Sequence, residues 1–499
     1  MRKKNVIYNV ISNFILQFAV IIYGLVIPKL IISFFGSNVN GLISSVTQFL
    51  GYIALLESGF GPVVSSLLYK PISKNNNDEI ANILYSSEKF FKKIALIFLV
   101  YILILLIVYP FLINSTFSFL FTSSLILIIS ISTFSEYYFG ITYKIFLQAK
   151  QQNYIISAVQ SITYILNIVL VVVLIKLECS IHLVKLITCL VFVIRPIFLN
   201  VYFKRKYKIK FDNVNKEYSI KNKWDGLAQH IAGVIHSNTD ITLLTMFVDL
   251  ASVSIYSVYN MIVKSIKGLV SIFTSSVEAT FGDMIAKDEI ENLNKKFSIY
   301  EFMYYTIVTI IYSCTILLIV PFVNVYTKNA DISYINIGFS IIFCLAAFVH
   351  SVKSPYNNLA FSAGKFKETR KGSMIEAISN LLISLILIFK FGLVGVAIGT
   401  LVSVLIRTIE LIIYSNKKIL KRKILKSIKF IVLSLFEMII IITISYSLIL
   451  KMSNTYLEWI ILALKIFVLA CFVTLSINII FSKDEFKYYI SKIGRKLKK

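Results

Sequence analysis

The chain has 499 residues, a formal net charge of +26 and a mean hydropathy of +0.80. A soluble protein this basic would be expected to bind nucleic acid. Here the basic residues lie almost wholly in every second link between long apolar segments, so no nucleic-acid partner is expected. The five cysteines follow no zinc, redox or disulfide spacing. The sequence has no GxxxxGK[ST] or HExxH motif and no link longer than about 25 residues, which argues against ATP hydrolysis and a soluble catalytic domain.

About fourteen segments are apolar enough to cross a bilayer as helices, since each crossing takes roughly 20 residues. The predicted spans are residues 6–33, 41–69, 90–113, 120–147, 154–175, 181–203, 224–248, 253–286, 297–322, 332–361, 369–389, 393–415, 427–450 and 456–481. The pattern predicts an all-α integral membrane protein with about 14 transmembrane helices.

The links between these spans alternate between basic and nearly uncharged. The basic links contain Lys70, Lys74, Lys89, Lys92 and Lys93, then Lys144 and Lys150, then Lys204, Arg205, Lys206, Lys208 and Lys210, then Lys287, Lys295 and Lys296, then Lys365, Lys367, Arg370 and Lys371, then Lys417, Lys418, Lys421, Arg422 and Lys423. Both ends of the chain are also basic. Because cytoplasmic loops carry the excess of Lys and Arg, both termini are predicted to lie in the cytoplasm.

The chain resembles itself at an offset of roughly 214 residues, and long internal repeats are typical of transporters. Gln148–Tyr154 matches Ser362–Lys367, and Arg195 and Arg407 fall at matching places in the sixth and twelfth spans. We therefore predict two six-helix lobes, 1–212 and 213–426, around a central cavity. Two appended helices in 427–482 and a basic cytoplasmic tail in 483–499 complete the predicted plan, which suits alternating access.

Polar residues recur at helical spacing in the first two spans of each predicted lobe. They include Gln17 and Gln48 in the first lobe, and Gln229, His236, Asp240, Asn260, Lys264 and Lys267 in the second. Lipid excludes such faces, so they are expected to meet protein or water. We predict that Gln17, Gln48, Gln229, His236 and Asn260 line the cavity.

Lys264 and Lys267 lie deep in the eighth span, roughly 16–21 Å from its start at 1.5 Å per residue. A central lysine costs about 2.5–3.5 kcal/mol to insert, so two in one helix need a reason. An anion site at a water-filled cavity is one explanation. Buried pairing with Glu278, Asp240 or Asp283 is the other.

Three further cations are candidates for the cavity. Arg195 and Arg407 lie about eight residues from the cytoplasmic ends of their spans, which also allows partial snorkelling. Lys353 lies deeper, in the tenth span. Each of the three also has an ordinary structural explanation, as a snorkelling or paired side chain.

Glu57, Glu136 and Asp240 are acids within predicted spans. Carboxylates at membrane depth often carry protons or coordinate Na⁺, and otherwise pair with cations or helix ends. Coupling to H⁺ or Na⁺ is one expectation, and direct action of the membrane potential on an anionic substrate is the alternative. No other cofactor and no metal site are expected.

Four stretches carry a resemblance to a known family: Pro28–Leu42, Leu55–Gly61, Gln148–Tyr154, and Ala363–Lys367 with Phe391–Ala397. Together with the fourteen-span layout, they resemble the polysaccharide repeat-unit flippases of the MATE-like MOP exporter superfamily, which transport O-antigen, capsule or exopolysaccharide units. This family is similar to the lipid II flippases, whose cationic cavities suit a pyrophosphate headgroup. Lys264 and Lys267 fit that role here.

The resemblance implies a substrate, a direction and a location. The substrate is an undecaprenyl-diphosphate-linked oligosaccharide, moved from the cytoplasmic to the outer leaflet of the bacterial cytoplasmic membrane. It also implies contacts with the lipid bilayer and with the polysaccharide polymerase and chain-length machinery. A monomer is expected, because one chain supplies both lobes.

Two other functions remain open from the sequence. A multidrug or cation antiporter of the MATE type shares the architecture, but its site should be acidic and aromatic. A membrane polysaccharide polymerase or glycosyltransferase would need a large loop or a catalytic acid cluster, and the sequence has neither, so an enzyme is not expected.

Overall fold

The computed structural model describes residues 2–57, 59–113, 116–207, 209, 211, 214–215, 227–448 and 452–483. Within the helices, the side chains of residues 2–4, 6, 227–230, 236–237, 272, 275–276, 278–279 and 448 lie outside this description. All regular secondary structure in the described part is helical, which confirms the predicted fold class.

The chain forms two compact units, and the first comprises Met1–Ser254. Its helices are α1 (Arg2–Phe35), α2 (Ser37–Gly51), α3 (Ala54–Glu57), α4 (Phe60–Lys74), α5 (Asn77–Leu112), α6 (Phe119–Ser135), α7 (Ile141–Ala149), α8 (Asn153–Lys176), α9 (Ile181–Tyr207) and α10 (Leu227–Phe247). A single π-helical turn, Glu136–Gly140, joins α6 to α7.

The second unit comprises Ile255–Lys499. Its helices are α11 (Leu250–Ala286, which starts in the first unit), α12 (Ile290–Tyr326), α13 (Ile337–Ser362), α14 (Phe366–Tyr414), α15 (Leu425–Leu448) and α16 (Tyr456–Phe481). The predicted lobe boundary at residue 212 stays a prediction. The lobes were defined by a repeat in the sequence, whereas the two units are defined by the contacts within each of them.

Every predicted span overlaps a helix, and the chain is a multi-pass membrane protein. In the described part, eleven helical segments are long and apolar enough to cross a membrane. One of them, Phe366–Ile419, holds two predicted spans. The spans that correspond to α10 and α11 are not among the eleven. The total of fourteen crossings and the cytoplasmic termini remain predictions.

One predicted boundary needs correction, and another agrees with the structure. The span predicted at 41–69 is not one helix, because the chain turns after Gly51 and Gly59 adopts a left-handed φ of 75° at the start of α4. The predicted link between the eleventh and twelfth spans agrees with the structure, because α14 consists of two helical halves that meet at a kink at Gly392. The two halves lie side by side, since Asn380 Nδ2 donates to Thr400 Oγ1 at 2.9 Å. Gly392 has a φ of 53° and a ψ of −126°, which only glycine adopts without strain.

In the first unit, α2 makes polar contacts with α10 and with the start of α11. Ser45 Oγ lies 2.6 Å from Thr245 Oγ1, and Asn40 Nδ2 donates to Ser254 Oγ at 2.8 Å. These groups are buried, so their mutual hydrogen bonds remove the cost of leaving them unpaired in the protein interior.

Candidate functional site

A polar cleft of about 590 Å³ opens within the first unit, between α3, α4 and the continuous segment formed by α6, the π turn and α7. Its polar lining is Glu57, Ser65, Tyr69, Glu136, Lys144 and Gln148. A smaller pocket of about 120 Å³ adjoins it and is lined by Ser132, Thr133, Glu136, Lys144, Gln160 and Arg195. Glu136 and Lys144 line both spaces, so we refer to the two together as the unit 1 cleft.

The π turn determines how the charged groups of this cleft are placed. Lys144 Nζ lies 3.0 Å from Glu136 Oε1 in an ion pair across the turn. Long helical side chains lean toward the helix N-terminus, so Lys144 reaches back toward Glu136. An added Cβ at Gly140 would lie 2.4 Å from Pro196 Cβ, so the absence of a side chain lets the turn approach α9. Single π turns are frequent at functional sites.

Arg195 enters the smaller pocket from α9. Its Nε donates to Thr163 Oγ1 at 2.5 Å, and its guanidinium lies 4.2 Å and 4.1 Å from the ring centroids of Tyr164 and Phe192. Its Nη2 atom is buried and has no hydrogen-bond acceptor in the described part of the chain. The side chain is therefore held in place by a hydroxyl and two rings rather than by snorkelling to the membrane surface.

The other two predicted acids have different surroundings. Glu57 is half-buried in α3 and lines the larger space of the cleft. Asp240 lies on α10 and is buried, with only 5% of its surface exposed. The structure thus brings Glu57 and Glu136 to one cleft, and Asp240 does not line it.

The polar face of α11 lies in the second unit. Lys264 is exposed, and Asn260 and Lys267 are half-buried. At 1.5 Å per residue, the two lysines lie about 21 and 26 Å along the axis from Leu250, near the middle of the helix. An exposed lysine in the middle of a membrane-spanning helix is costly in lipid. Since α11 is a predicted span, its water-filled surrounding stays a prediction.

Lys353 and Arg407 belong to a buried ion-pair network in the second unit. Lys353 Nζ lies 2.5 Å from Glu376 Oε1, and Arg407 Nε lies 3.9 Å from Glu376 Oε2. Arg407 also pairs with Glu410 and donates to Ser373 Oγ at 3.0 Å. The Arg407 residue is only 2% exposed. Both cations therefore have acid partners, and their predicted roles in substrate binding remain predictions.

The remaining predicted cavity residues receive little further support. Gln17 and Gln48 are half-buried on α1 and α2. The side chains of Gln229 and His236 lie outside the described residues.

Among the groups that the sequence did not single out for a site are Lys144, Glu376 and Glu410. Lys144 was assigned to a cytoplasmic link, and the two acids were visible only as rare carboxylates within apolar spans.

No protein-family model and no curated protein sequence matches the chain. The solved structure of the lipid II flippase MurJ in an inward closed conformation is similar to it, with a TM-score of 0.68 and 17% identity, over 96% of this chain and 99% of that one. An inward-facing multidrug resistance MATE family transporter of the MOP superfamily has a TM-score of 0.63 and 14% identity, over 80% of this chain and 94% of that one. The Vibrio cholerae MATE transporter VcmN in the bent form has a TM-score of 0.53 and 14% identity, over 83% of this chain and 97% of that one.

At these identities, the likeness establishes the fold and leaves the substrate open. It agrees with the fold that the resemblance found in the sequence implies. The chain has the all-helical membrane fold shared by the MurJ flippase and the MATE transporters of the MOP superfamily.

Proposed function

We propose that the chain is a flippase that moves undecaprenyl-diphosphate-linked oligosaccharide repeat units from the cytoplasmic to the outer leaflet of a bacterial cytoplasmic membrane, for surface polysaccharide synthesis. The observation that carries this proposal is the pair Lys264 and Lys267, present on a polar, partly exposed face of α11 in a fold shared with a lipid II flippase.

The physical need for such a site is clear. A diphosphate does not cross hydrocarbon unaided, because desolvating its charge costs tens of kcal/mol in the Born limit. Fixed ammonium groups replace part of the lost hydration, and charge-assisted hydrogen bonds to phosphate are about twice as strong as neutral ones. The polyprenyl tail can remain in the lipid phase throughout, so only the headgroup needs a polar path. No chemical bond changes, which agrees with the expectation of a transporter rather than an enzyme.

A second candidate function is multidrug export, and one observation favours it. Two carboxylates, Glu57 and Glu136, line the unit 1 cleft, and acidic groups suit a cationic drug. Lys144 already neutralises Glu136 at 3.0 Å, and Arg195 adds a second cation. The charge of the cleft therefore gives a cationic drug no net attraction.

The experiment that separates the two functions uses purified protein in proteoliposomes. The probe is undecaprenyl diphosphate carrying a fluorescent disaccharide, and an impermeant quencher reports the fraction in the outer leaflet. We expect faster loss of the protected fraction than in empty vesicles, with no accumulation of ethidium under an imposed proton gradient. Ethidium accumulation without translocation of the lipid probe would replace the flippase with a drug exporter.

A further inference from the structure

The smaller pocket of the unit 1 cleft, which Glu136, Lys144 and Arg195 line, contains more positive charge than its one carboxylate neutralises. Lys144 is paired with Glu136, whereas Arg195 donates to a neutral hydroxyl, Thr163 Oγ1. No carboxylate of the described residues lies within 4.0 Å of the Arg195 guanidinium, as the ion pairs of that part of the chain show. Its Nη2 atom is buried without an acceptor.

A buried donor without an acceptor is rare in native proteins and usually marks an absent water, ion or ligand. An oxyanion has several acceptor oxygens and a negative charge, so it suits a guanidinium better than a neutral ligand does. The donor belongs to a side chain fixed by Thr163, Tyr164 and Phe192, so it is already oriented for a partner.

Lys144 faces the same pocket as Arg195, but its ammonium group is occupied by Glu136. The pair is only partly buried, with side-chain exposures of 30% for Lys144 and 50% for Glu136. Both groups are open to the cleft, and an exposed pair of this kind is weak, so the exchange of one partner for another anion has a low cost.

We infer that the unit 1 cleft is an oxyanion subsite in which Glu136 acts as a built-in competitor for Lys144. An arriving oxyanion binds Arg195 and takes Lys144 from Glu136. When the anion leaves, Glu136 takes Lys144 back, and this exchange promotes release. The inference rests on the proposed function and assigns part of the glycolipid to the first unit. The chemical class is an oxyanion, either the diphosphate or the carboxylate of an acidic sugar.

The cleft is large enough for more than the anion alone, since its larger space of about 590 Å³ falls in the usual range for small-molecule sites. Glu57, Tyr69 and Gln148 line that space and offer acceptors and donors for sugar hydroxyls. The subsite thus places the anionic group beside Arg195 and leaves polar side chains for the neighbouring sugar.

The test is direct binding of inorganic pyrophosphate to the purified full chain in detergent, measured by calorimetry. We expect Lys144→Ala and Arg195→Ala to weaken binding about tenfold each. Glu136→Gln should strengthen binding about three- to tenfold, because the competitor is lost while Lys144 remains. The same titrations with glucuronate distinguish the two sources of the anion, since the natural group should bind more tightly.

The matched control is the pair Lys92 and Glu88, an ion pair of 2.6 Å in the same unit that does not line the cleft. Lys92→Ala and Glu88→Gln should leave pyrophosphate binding unchanged. Since Glu136 is half exposed, Glu136→Gln is expected to fold, and its melting temperature verifies this.

Three results would overturn the inference: weaker or unchanged binding in Glu136→Gln, an equal gain in Glu88→Gln, or no binding of either anion to the wild type and Glu136→Gln. These outcomes are separate from those of the proposed function. If the lipid probe is translocated while Glu136→Gln binds pyrophosphate like the wild type, the flippase stands and the subsite is wrong. If Glu136→Gln strengthens binding but the lipid probe stays in place, the subsite stands and serves a different anion.

Discussion

Lys353 on α13 and Glu376 on α14 form a buried ion pair, with Nζ 2.5 Å from Oε1 and both side chains 10% exposed. Arg407 lies on the other side of the same carboxyl group. The loss of one partner from a buried pair leaves an uncompensated charge, which costs about 3–5 kcal/mol. This relationship favours a structural role for two cations that the sequence also allowed as cavity residues.

The first prediction concerns this pair. Lys353→Met should lower the free energy of unfolding by about 3–5 kcal/mol, and Lys353→Met with Glu376→Met should recover much of the loss, because no charge remains unpaired. Thermal unfolding in detergent measures both variants. A Lys353→Met protein of wild-type stability that no longer binds pyrophosphate would instead place Lys353 in the substrate site.

The second prediction compares two buried acids of the second unit. Glu437 is 1% exposed, and its Oε1 has no hydrogen-bond partner in the described part of the chain. Glu301 is fully buried, but it pairs with Arg422 at 2.6 Å and accepts from the Tyr356 hydroxyl. Glu437→Leu should therefore be neutral or stabilising, whereas Glu301→Leu should cost about 3–5 kcal/mol. Melting temperatures test this, and a larger loss in Glu437→Leu would reverse the argument.

The third prediction concerns the π turn. Gly140→Ala would bring a methyl group to 2.4 Å from Pro196 Cβ, so α9 or the turn must shift. We expect a loss of about 1–3 kcal/mol, as for other overpacked sites, together with weaker pyrophosphate binding. The control is Gly233→Ala in α10, where an added Cβ meets no atom of the described residues within 4 Å. If the two variants were equally stable, the close approach of Gly140 to Pro196 would not contribute to the stability of the protein.

The fourth prediction is the orientation in the membrane. The basic link that contains Asp288 should face the cytoplasm, and the link that contains Asn329, at the other end of α12, should face the outside. After the five native cysteines are replaced by serine, Asn329→Cys should react with an impermeant maleimide in intact cells. Asp288→Cys should react only after lysis. The reverse pattern would invert the topology.

Much of the fold could be predicted from the sequence, because apolar length alone determines which segments can cross a bilayer. The broken span at 41–69 was missed because the turn after Gly51 lies within an apolar run, and hydropathy does not detect backbone dihedral angles. The pairing of Lys353 with Glu376 was missed for another reason. Their contact joins residues 23 positions apart on different helices, which only tertiary packing determines.

The predicted repeat remains a prediction, although one contact bears on it. Asn40 and Ser254 are 214 residues apart, close to the repeat offset, and they share a hydrogen bond of 2.8 Å. In two repeats related by an axis, equivalent positions touch only near that axis. The sequence alignment could relate these two residues, but it could not predict that they meet.

The central claim is that Lys264 and Lys267 of α11 bind the anionic headgroup of a lipid-linked oligosaccharide while it crosses the membrane. The most direct test is the rate at which the fluorescent undecaprenyl-diphosphate disaccharide is translocated in proteoliposomes by the Lys264→Ala, Lys267→Ala double variant. The control is Lys426→Ala with Lys429→Ala, which removes two exposed lysines at the same spacing from α15. At about 1.5–3 kcal/mol for each charge-assisted contact, we expect the rate to fall at least roughly tenfold in the α11 variant and to stay at the wild-type level in the control. Translocation at the wild-type rate by the folded α11 double variant would contradict the account.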